Sequence, residues 1–249
     1  MKTVTVDGLR FVCETELETW RAETLLTKEP GTIAWLDAEL TPGSVFYDIG
    51  ANIGAYTLYA ARRVGPDGMV YAFEPHVANA ASLLRNVQAN GFQDRVRVLT
   101  CAVHSVDGWQ PFYYRSISAG ASGSQLTHMQ DAEDGQAFAP KAVELKRATT
   151  LHSVLASGTA LFPDAIKIDV DGNELGILRG LFVPGSQSTW PQTLQVEMHA
   201  FNRQDISDLC ASCGYRQTGQ HFTKRGERQM SKGMDPANIP NNGIFTRVA

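Results

Sequence analysis

The chain predicts an α/β protein: a doubly wound, mostly parallel sheet with a small N-terminal appendage. Three observations carry that expectation. From residue 45 onward, short β-prone runs alternate with amphipathic stretches of helical length, joined by short links. The first run, Val45-Phe46-Tyr47-Asp48-Ile49, passes through Gly50-Ala51-Asn52-Ile53-Gly54 directly into a helix-forming stretch beginning Ala55-Tyr56-Thr57. A second apolar run, Met69-Val70-Tyr71-Ala72-Phe73, ends in Glu74, about twenty residues past Gly54.

Taken in order, residues 3–13 form a hairpin about Asp7-Gly8. Helices are expected over 16–28 and 32–40, separated at Glu29-Pro30-Gly31. Strand 45–48 leads to helix 53–63, strand 69–73 to helix 77–89, and strand 95–100 follows. The rhythm then breaks into an antiparallel excursion over 102–115. Residues 116–140, rich in Ser, Gly, Ala, Gln and Asp, lack periodicity and are expected to form a lid or binding loop or to be disordered. Strand 143–147, helix 150–157, strand 165–170, helix 173–181, strand 193–198, helix 203–213 and a β segment near 243–248 complete the chain. Two units are expected: residues 1–40 as a cap or partner contact, and residues 41–249 as the main domain with its insertion near 116–140.

The glycine pattern restricts the ligand. A strand, a tight glycine turn and a helix N-terminus make a docking point for small charged ligands, because the backbone can approach closely and helix-start N–H groups point outward. A dinucleotide fingerprint needs G-x-G-x-x-G, and the middle position is Asn52. A nucleoside without a pyrophosphate suits this turn, and S-adenosylmethionine answers that description. Glu74 is placed to accept hydrogen bonds from both ribose hydroxyls. Asp48 is expected to order the turn and the methionine end of the cofactor.

Composition narrows the class further. The 249 residues are 43% hydrophobic and 19% charged, ordinary for a globular domain. The net charge of −4 argues against a broad nucleic-acid-binding surface. The start lacks the apolar core of a signal segment, and no apolar stretch is long enough to cross a membrane, so no membrane role and a cytoplasmic location are expected. Cys210-Ala211-Ser212-Cys213 has no second pair or histidine pair for zinc, so buried, reduced thiols are expected.

A second constellation lies in Ile166-Lys167-Ile168-Asp169-Val170-Asp171-Gly172-Asn173-Glu174. Strand period two puts Lys167, Asp169 and Asp171 on one face, and a charged face at the end of a core strand is costly unless it borders a cleft. Glu197 and His199 repeat the device on the next strand.

With Asp48-Ile49-Gly50-Ala51-Asn52-Ile53-Gly54, Tyr71-Ala72-Phe73-Glu74-Pro75, Lys167-Ile168-Asp169-Val170-Asp171-Gly172-Asn173-Glu174, Leu178-Arg179-Gly180 and Val196-Glu197-Met198-His199, the chain resembles the FkbM family of S-adenosylmethionine-dependent methyltransferases over roughly residues 40 to 215. The resemblance implies a Rossmann-like class I methyltransferase fold and methylation of a hydroxyl on a natural product or glycan, with S-adenosylhomocysteine as product. It implies a cofactor site comprising Asp48, Gly50, Ala51, Asn52, Gly54, Glu74, Pro75, Ala102 and Asp169. Asp171 stands where the family often has Glu, and Cys101-Ala102 where it often has Asn, which weakens a side-chain role at 101 in adenine binding.

Removing a hydroxyl proton needs a base within reach or a metal. Asp169, Asp171, Glu174, Glu197 and His199 form the pool for catalysis and acceptor binding. His199 has a suitable pKa for a base. Mg²⁺ held by the carboxylates is the less favoured alternative. Lys167 is expected to neutralise the acids. The expected partner is a small-molecule or glycan acceptor, with homo-oligomerisation left open. Two rival functions are a nucleotide-dependent oxidoreductase, disfavoured by Asn52, and a non-catalytic nucleoside-binding module, disfavoured by the density of acids.

Overall fold

The structure is a computed structural model that describes residues 1–129 and 136–248. The front segment forms a hairpin, β1 (Lys2–Val6) and β2 (Leu9–Cys13), followed by α1 (Glu16–Glu23) and α2 (Pro30–Glu39). The alternating part runs β3 (Val45–Ile49), α3 (Ala55–Val64), β4 (Met69–Phe73), α4 (Val77–Ala89) and β5 (Val96–Leu99). The excursion comprises β6 (Ala102–Val103), β7 (Gly108–Tyr114), β8 (Gln125–Leu126) and β9 (Ala142–Thr149). Then come α5 (Leu151–Ala156), β10 (Ala165–Ile168), α6 (Glu174–Leu181), β11 (Thr193–Met198), α7 (Arg203–Ser212), β12 (Tyr215–Phe222), α8 (Lys224–Ser231) and β13 (Asn241–Arg247).

The main sheet has seven strands in the order β12-β13-β11-β10-β3-β4-β5. Pairs among β11, β10, β3, β4 and β5 are parallel, and β13 and β12 add antiparallel at one edge. The chain starts at β3, builds outward to β5, then returns to place β10 on the other side of β3. That reversal opens a crevice at the carboxyl ends of β3 and β10, where ligands dock in sheets of this kind. The second sheet, β6-β9-β7-β8, stands beside those ends.

Period two divides the core. Phe46 belongs to a buried cluster with Phe11, Trp35, Leu36, Leu58 and Leu83, on the face covered by the hairpin and α2 to α4. Its neighbour Tyr47 belongs to the opposite cluster with Ile166, Leu151, Ile177, Leu194 and Ile206, under α5 to α7. The front segment therefore shares the sheet's core. It is also tied by polar contacts: Asn86 Oδ1 accepts from Val12 N at 2.8 Å, and Trp35 Nε1 donates to Thr193 Oγ1 at 3.1 Å.

Several expected elements differ. The first helix stops at Glu23, held by a Thr15–Glu18 capping box, and residues 24–28 turn toward the sheet. Strand 165–170 ends at Ile168, because Asp171 adopts a left-handed φ of 59° that no strand accommodates. Strand β12 and helix α8 were not foreseen. Of the expected lid, residues 130–135 lie outside the described residues. Residues 119–125 are fastened to the rest of the molecule by hydrogen bonds described below, and β8 pairs with β7. Cys210 is buried against α7's neighbours, and all four cysteines are free thiols. Among the described residues, no helix is long and apolar enough to cross a membrane.

Candidate active site

A cavity of about 1150 Å³ opens at the carboxyl ends of the parallel strands. One end is built by the turns after β3 and β4. Gly50 and Ala51 donate their N–H groups to the Phe73 carbonyl at 3.0 and 3.1 Å, which draws the two turns together. Gly50 has φ 82°, and a Cβ there would lie 1.9 Å from the Asp169 carbonyl oxygen. The glycine is thus required by the adjoining backbone after β10. Gly54, with φ 88°, packs against Leu83, where a Cβ would meet Cδ1 at 2.2 Å.

Glu74 faces this end of the cavity and is 5% exposed. Its Oε2 accepts from Asn52 N at 2.7 Å and its Oε1 from His76 N at 2.8 Å. Each oxygen keeps a further lone pair for a ligand. Burial pushes the carboxyl up to about 7, against the pull of those two N–H groups. Gly50, Asn52, Pro75, Ala102 and Asp169 also line the cavity. Asp48, Ala51 and Gly54 stand behind its wall. Asp48 is fully buried: its Oδ2 accepts from Thr57 Oγ1 at 2.6 Å, while Oδ1 makes no hydrogen bond and lies 3.5 Å from Lys167 Nζ.

Lys167 joins the two halves of the sheet electrostatically. Its ammonium lies 3.3 Å from Asp169 Oδ2 and 5.4 Å from the centre of the Tyr56 ring. Burial opposes its charge, but Asp169, Asp48 and Glu29 outweigh that and hold it above the ordinary lysine range. Burial likewise opposes ionisation of Asp169, yet Lys167 and Lys28 bring its pKa down to about 2. Asp169 is therefore a carboxylate already matched to cations.

Asp171 does not share the strand face of Lys167 and Asp169 as expected, since the chain has left the strand. Its Oδ2 accepts from Gly123 N at 2.7 Å, and its carbonyl accepts from Gln125 Nε2 at 2.8 Å. Burial, then the charge of Asp169, raises its pKa. The segment it holds is anchored at further points. Ala121 O accepts from Asn52 Nδ2 and Asn79 Nδ2, both at 2.9 Å, and Gly120 N donates to Asn79 Oδ1 at 2.8 Å. Residues 119–125 thus form a fixed roof over the glycine turn.

Glu174 also turns inward, away from the cavity lining. Its Oε1 accepts from Gly172 N at 2.9 Å and Val170 N at 3.2 Å, and its Oε2 from Asn202 Nδ2 at 3.2 Å. Burial raises its pKa.

Glu197 and His199 do line the cavity, brought beside β10 by the Lys167–Gln195 and Ile168–Val196 register. Glu197 Oε2 and His199 Nε2 are 3.2 Å apart, and the imidazole stacks on Phe201. Burial opposes the imidazolium, but the Glu197 hydrogen bond and the charges of Glu197, Glu174 and Asp171 outweigh it and raise His199 to about 9. Burial and Asp169 push Glu197 up as well, so the two groups titrate as a pair. Donor atoms of Glu174, Glu197 and His199 lie within 4.8 Å of one another. Glu174 Oε1 already accepts two N–H donors and Oε2 one, so the cluster offers at most two carboxylates and an imidazole, short of the oxygen-rich set that Mg²⁺ prefers.

Several lining groups escaped the sequence reading. Trp20, Arg21, Lys28 and Glu29 come from the front segment, and Thr223 to Gly226 from the start of α8. Glu29 is 2% exposed, paired with Lys28 at 2.8 Å and accepting from Tyr56 OH at 3.1 Å. Charged residues beside Pro30 were read only as a helix stop. The signal for α8 was Thr223 before a dense run of cations.

The methyltransferase FkbM domain model matches residues 48–217. The 31-O-demethyl-FK506 methyltransferase FkbM of Streptomyces tacrolimicus is 28% identical over 190 residues, covering 65% of this chain and 67% of that protein. The hexuronic acid methyltransferase AglP of Haloferax volcanii is 26% identical over 172 residues, covering 69% of this chain and 64% of that protein. The chain thus spans about two thirds of the length of these curated relatives. Among solved structures, P. horikoshii TYW2 in complex with MeSAdo superposes with a TM-score of 0.50 at 9% identity, covering 98% of this chain and 70% of that one. With the family model matched from the glycine turn through the cavity-lining strands, the chain belongs to the FkbM methyltransferase domain family.

Proposed function

We propose that the chain uses S-adenosylmethionine to methylate a hydroxyl group on a natural product or glycan. The observation that carries this reading is the two-ended cavity, with Glu74 and the glycine turn at one end and the Glu197–His199 pair at the other. The cofactor fits the first end. Glu74 keeps acceptor capacity for two ribose hydroxyls, and Gly50 and Asn52 leave room at the turn. Asp169, ionised beside Lys167, supplies negative charge on the wall between the two ends. When bound, the cofactor supplies a methyl group already activated by its sulfonium.

The chain's own residues then do three things. The roof at 119–125 and the front segment exclude water. Phe201 and Trp20 offer apolar faces to the acceptor. His199, oriented by Glu197, takes the hydroxyl proton, in the manner of a base held by a carboxylate. Asp171 and Glu174 are positioning residues in this scheme, since their carboxylates hold backbone. Residues 1–40 act as the cap of the acceptor end. The names of the two relatives, one for a 31-O-demethyl compound and one for a hexuronic acid, support a hydroxyl or acidic-sugar acceptor. Labelled methyl transfer from S-adenosylmethionine to a hydroxyl panel, with the product's new ether located by mass spectrometry, tests the reading. Methylation at nitrogen or carbon alone would refute it.

A further inference from the structure

Helix α8 concentrates positive charge on the acceptor end. Residues 224–232 hold Lys224, Arg225, Arg228 and Lys232 against a single acid, Glu227, in a chain whose net charge is −4. All four cations line the cavity, and Glu227 does not. Arg225, Arg228 and Lys232 follow i, i+3, i+7 spacing, which keeps them on one face. The helix is held firmly: Thr223 caps it through Gly226 N at 3.1 Å, Lys224 N donates to Lys28 O at 2.9 Å, and Gly226 packs on Ile239 and Phe222.

The charges near the front segment are already matched. Lys28 pairs with Glu29, Lys224 with Glu227 at 2.7 Å, and Arg21 donates to Gly120 O at 2.6 Å. Among the described residues, Arg228 and Lys232 have no acid within ion-pair distance. Of the cavity's acids, Glu74, Asp169 and Asp171 stand on the turns after β4 and β10, while Glu29 is paired with Lys28 and Glu197 with His199. A bipolar cavity selects a bipolar content. The acidic end suits a sulfonium, and two unmatched cations suit an anion.

We infer that the methyl acceptor is a sugar-sized hydroxyl compound that itself carries an anionic group, a carboxylate or a phosphate, with the anion held by Arg228 and Lys232 and the hydroxyl facing His199. The inference rests on the hydroxyl-methyltransferase reading and names its substrate class. Ring size follows from the walls. Trp20 and Phe201, 45% and 62% exposed, present aromatic faces to the same cavity. Pockets for small ligands run to about 1,000 Å³, so this volume leaves room for a cofactor and a compact acceptor. Both cations are exposed at the edge of the cavity, so binding of a polynucleotide is one of the outcomes that the test distinguishes.

The test uses the full chain saturated with S-adenosylhomocysteine. Calorimetry measures binding of glucuronic acid, glucose 6-phosphate, neutral methyl glucoside and a short RNA, for wild type and for Arg228→Gln/Lys232→Gln. The two acidic sugars should bind more tightly than the glucoside, and whichever binds better identifies carboxylate or phosphate. The double variant should lose about tenfold or more in that affinity and most of its salt dependence. Equal binding of acidic and neutral sugars, an unchanged affinity in the variant, or preferential capture of the RNA would overturn the inference. Failure of S-adenosylhomocysteine itself to bind would instead remove the methyltransferase reading beneath it.

Discussion

Glu197 Oε2 and His199 Nε2 lie 3.2 Å apart at the acceptor end of the cavity, and the imidazole's pKa is raised to about 9 by that contact and the surrounding acids. A base so raised is protonated at neutral pH and becomes competent as pH rises. Turnover should therefore climb with pH toward about 9 in the wild type. In Glu197→Gln the carboxylate is lost while burial remains, so His199 should fall toward or below its ordinary value, moving the rising limb to lower pH. His199→Ala should cost about 10²–10⁴-fold in kcat and leave S-adenosylhomocysteine affinity nearly unchanged. A wild-type profile identical to that of Glu197→Gln would remove His199 from the proton transfer.

Asp171 holds the roof, so its variants should act on order before chemistry. Asp171→Asn keeps an acceptor oxygen for Gly123 and tolerates the left-handed backbone at φ 59°. Asp171→Ala loses both advantages and should destabilise by about 1–3 kcal/mol. Hydrogen exchange at residues 119–125 should rise in the Ala variant and change little in Asn. Equal protection in both would mean that the roof is held elsewhere.

Lys167 is buried between Asp48 and Asp169, and removing one partner of such a cluster leaves charge without compensation. Lys167→Met should lower stability by about 3–5 kcal/mol. The acid limb gives a second check. Asp169 falls from 3.8 to about 2, so its contribution is complete above about 4 and is lost as pH drops toward 2. Denaturant midpoints measured across that window should show the loss in wild type and a smaller one in the variant.

Gly50 is constrained by protein, with the Asp169 carbonyl occupying the place of a side chain. Gly50→Ala should separate β3 from β10 and cost more than about 2 kcal/mol in thermal unfolding, even without ligand. A variant that melts like wild type would show that the turn relaxes freely.

Much of this was legible in the sequence because it is local. The Gly50–Gly54 spacing and Glu74 after β4 are contiguous patterns, although Gly50 is fixed by the distant Asp169 carbonyl, and the period-two alternation correctly brought Lys167 to Asp169 and Glu197 to His199. Asp171 was misplaced because one left-handed residue ends the strand's alternation, a conformation that Asp before Gly172 favours and that strand period two does not register. Glu174 looked like a free acid, although it serves as a backbone acceptor for its own turn. Strand β12 was invisible because only Tyr215 along it is buried, as befits a polar edge. Helix α8 buries only Gly226, so it offers no apolar stripe to read, and its place in the cavity wall depends on β12 and β13 folding back.

The most direct test of the cofactor end is a calorimetric titration with S-adenosylhomocysteine, run from pH 6 to 8 on wild type and Glu74→Ala, with melting curves alongside. Burial raises the Glu74 carboxyl to about 7, and it accepts ribose hydroxyls most strongly, through both oxygens, when ionised, so wild-type affinity should rise with pH through that value. The variant should bind about tenfold or more weakly at pH 8 and lose the pH dependence, because a charged hydrogen bond contributes about 1.5–3 kcal/mol. No binding by the wild type, or an equal dissociation constant in a folded Glu74→Ala, would contradict the assignment of this cavity to the methyl donor.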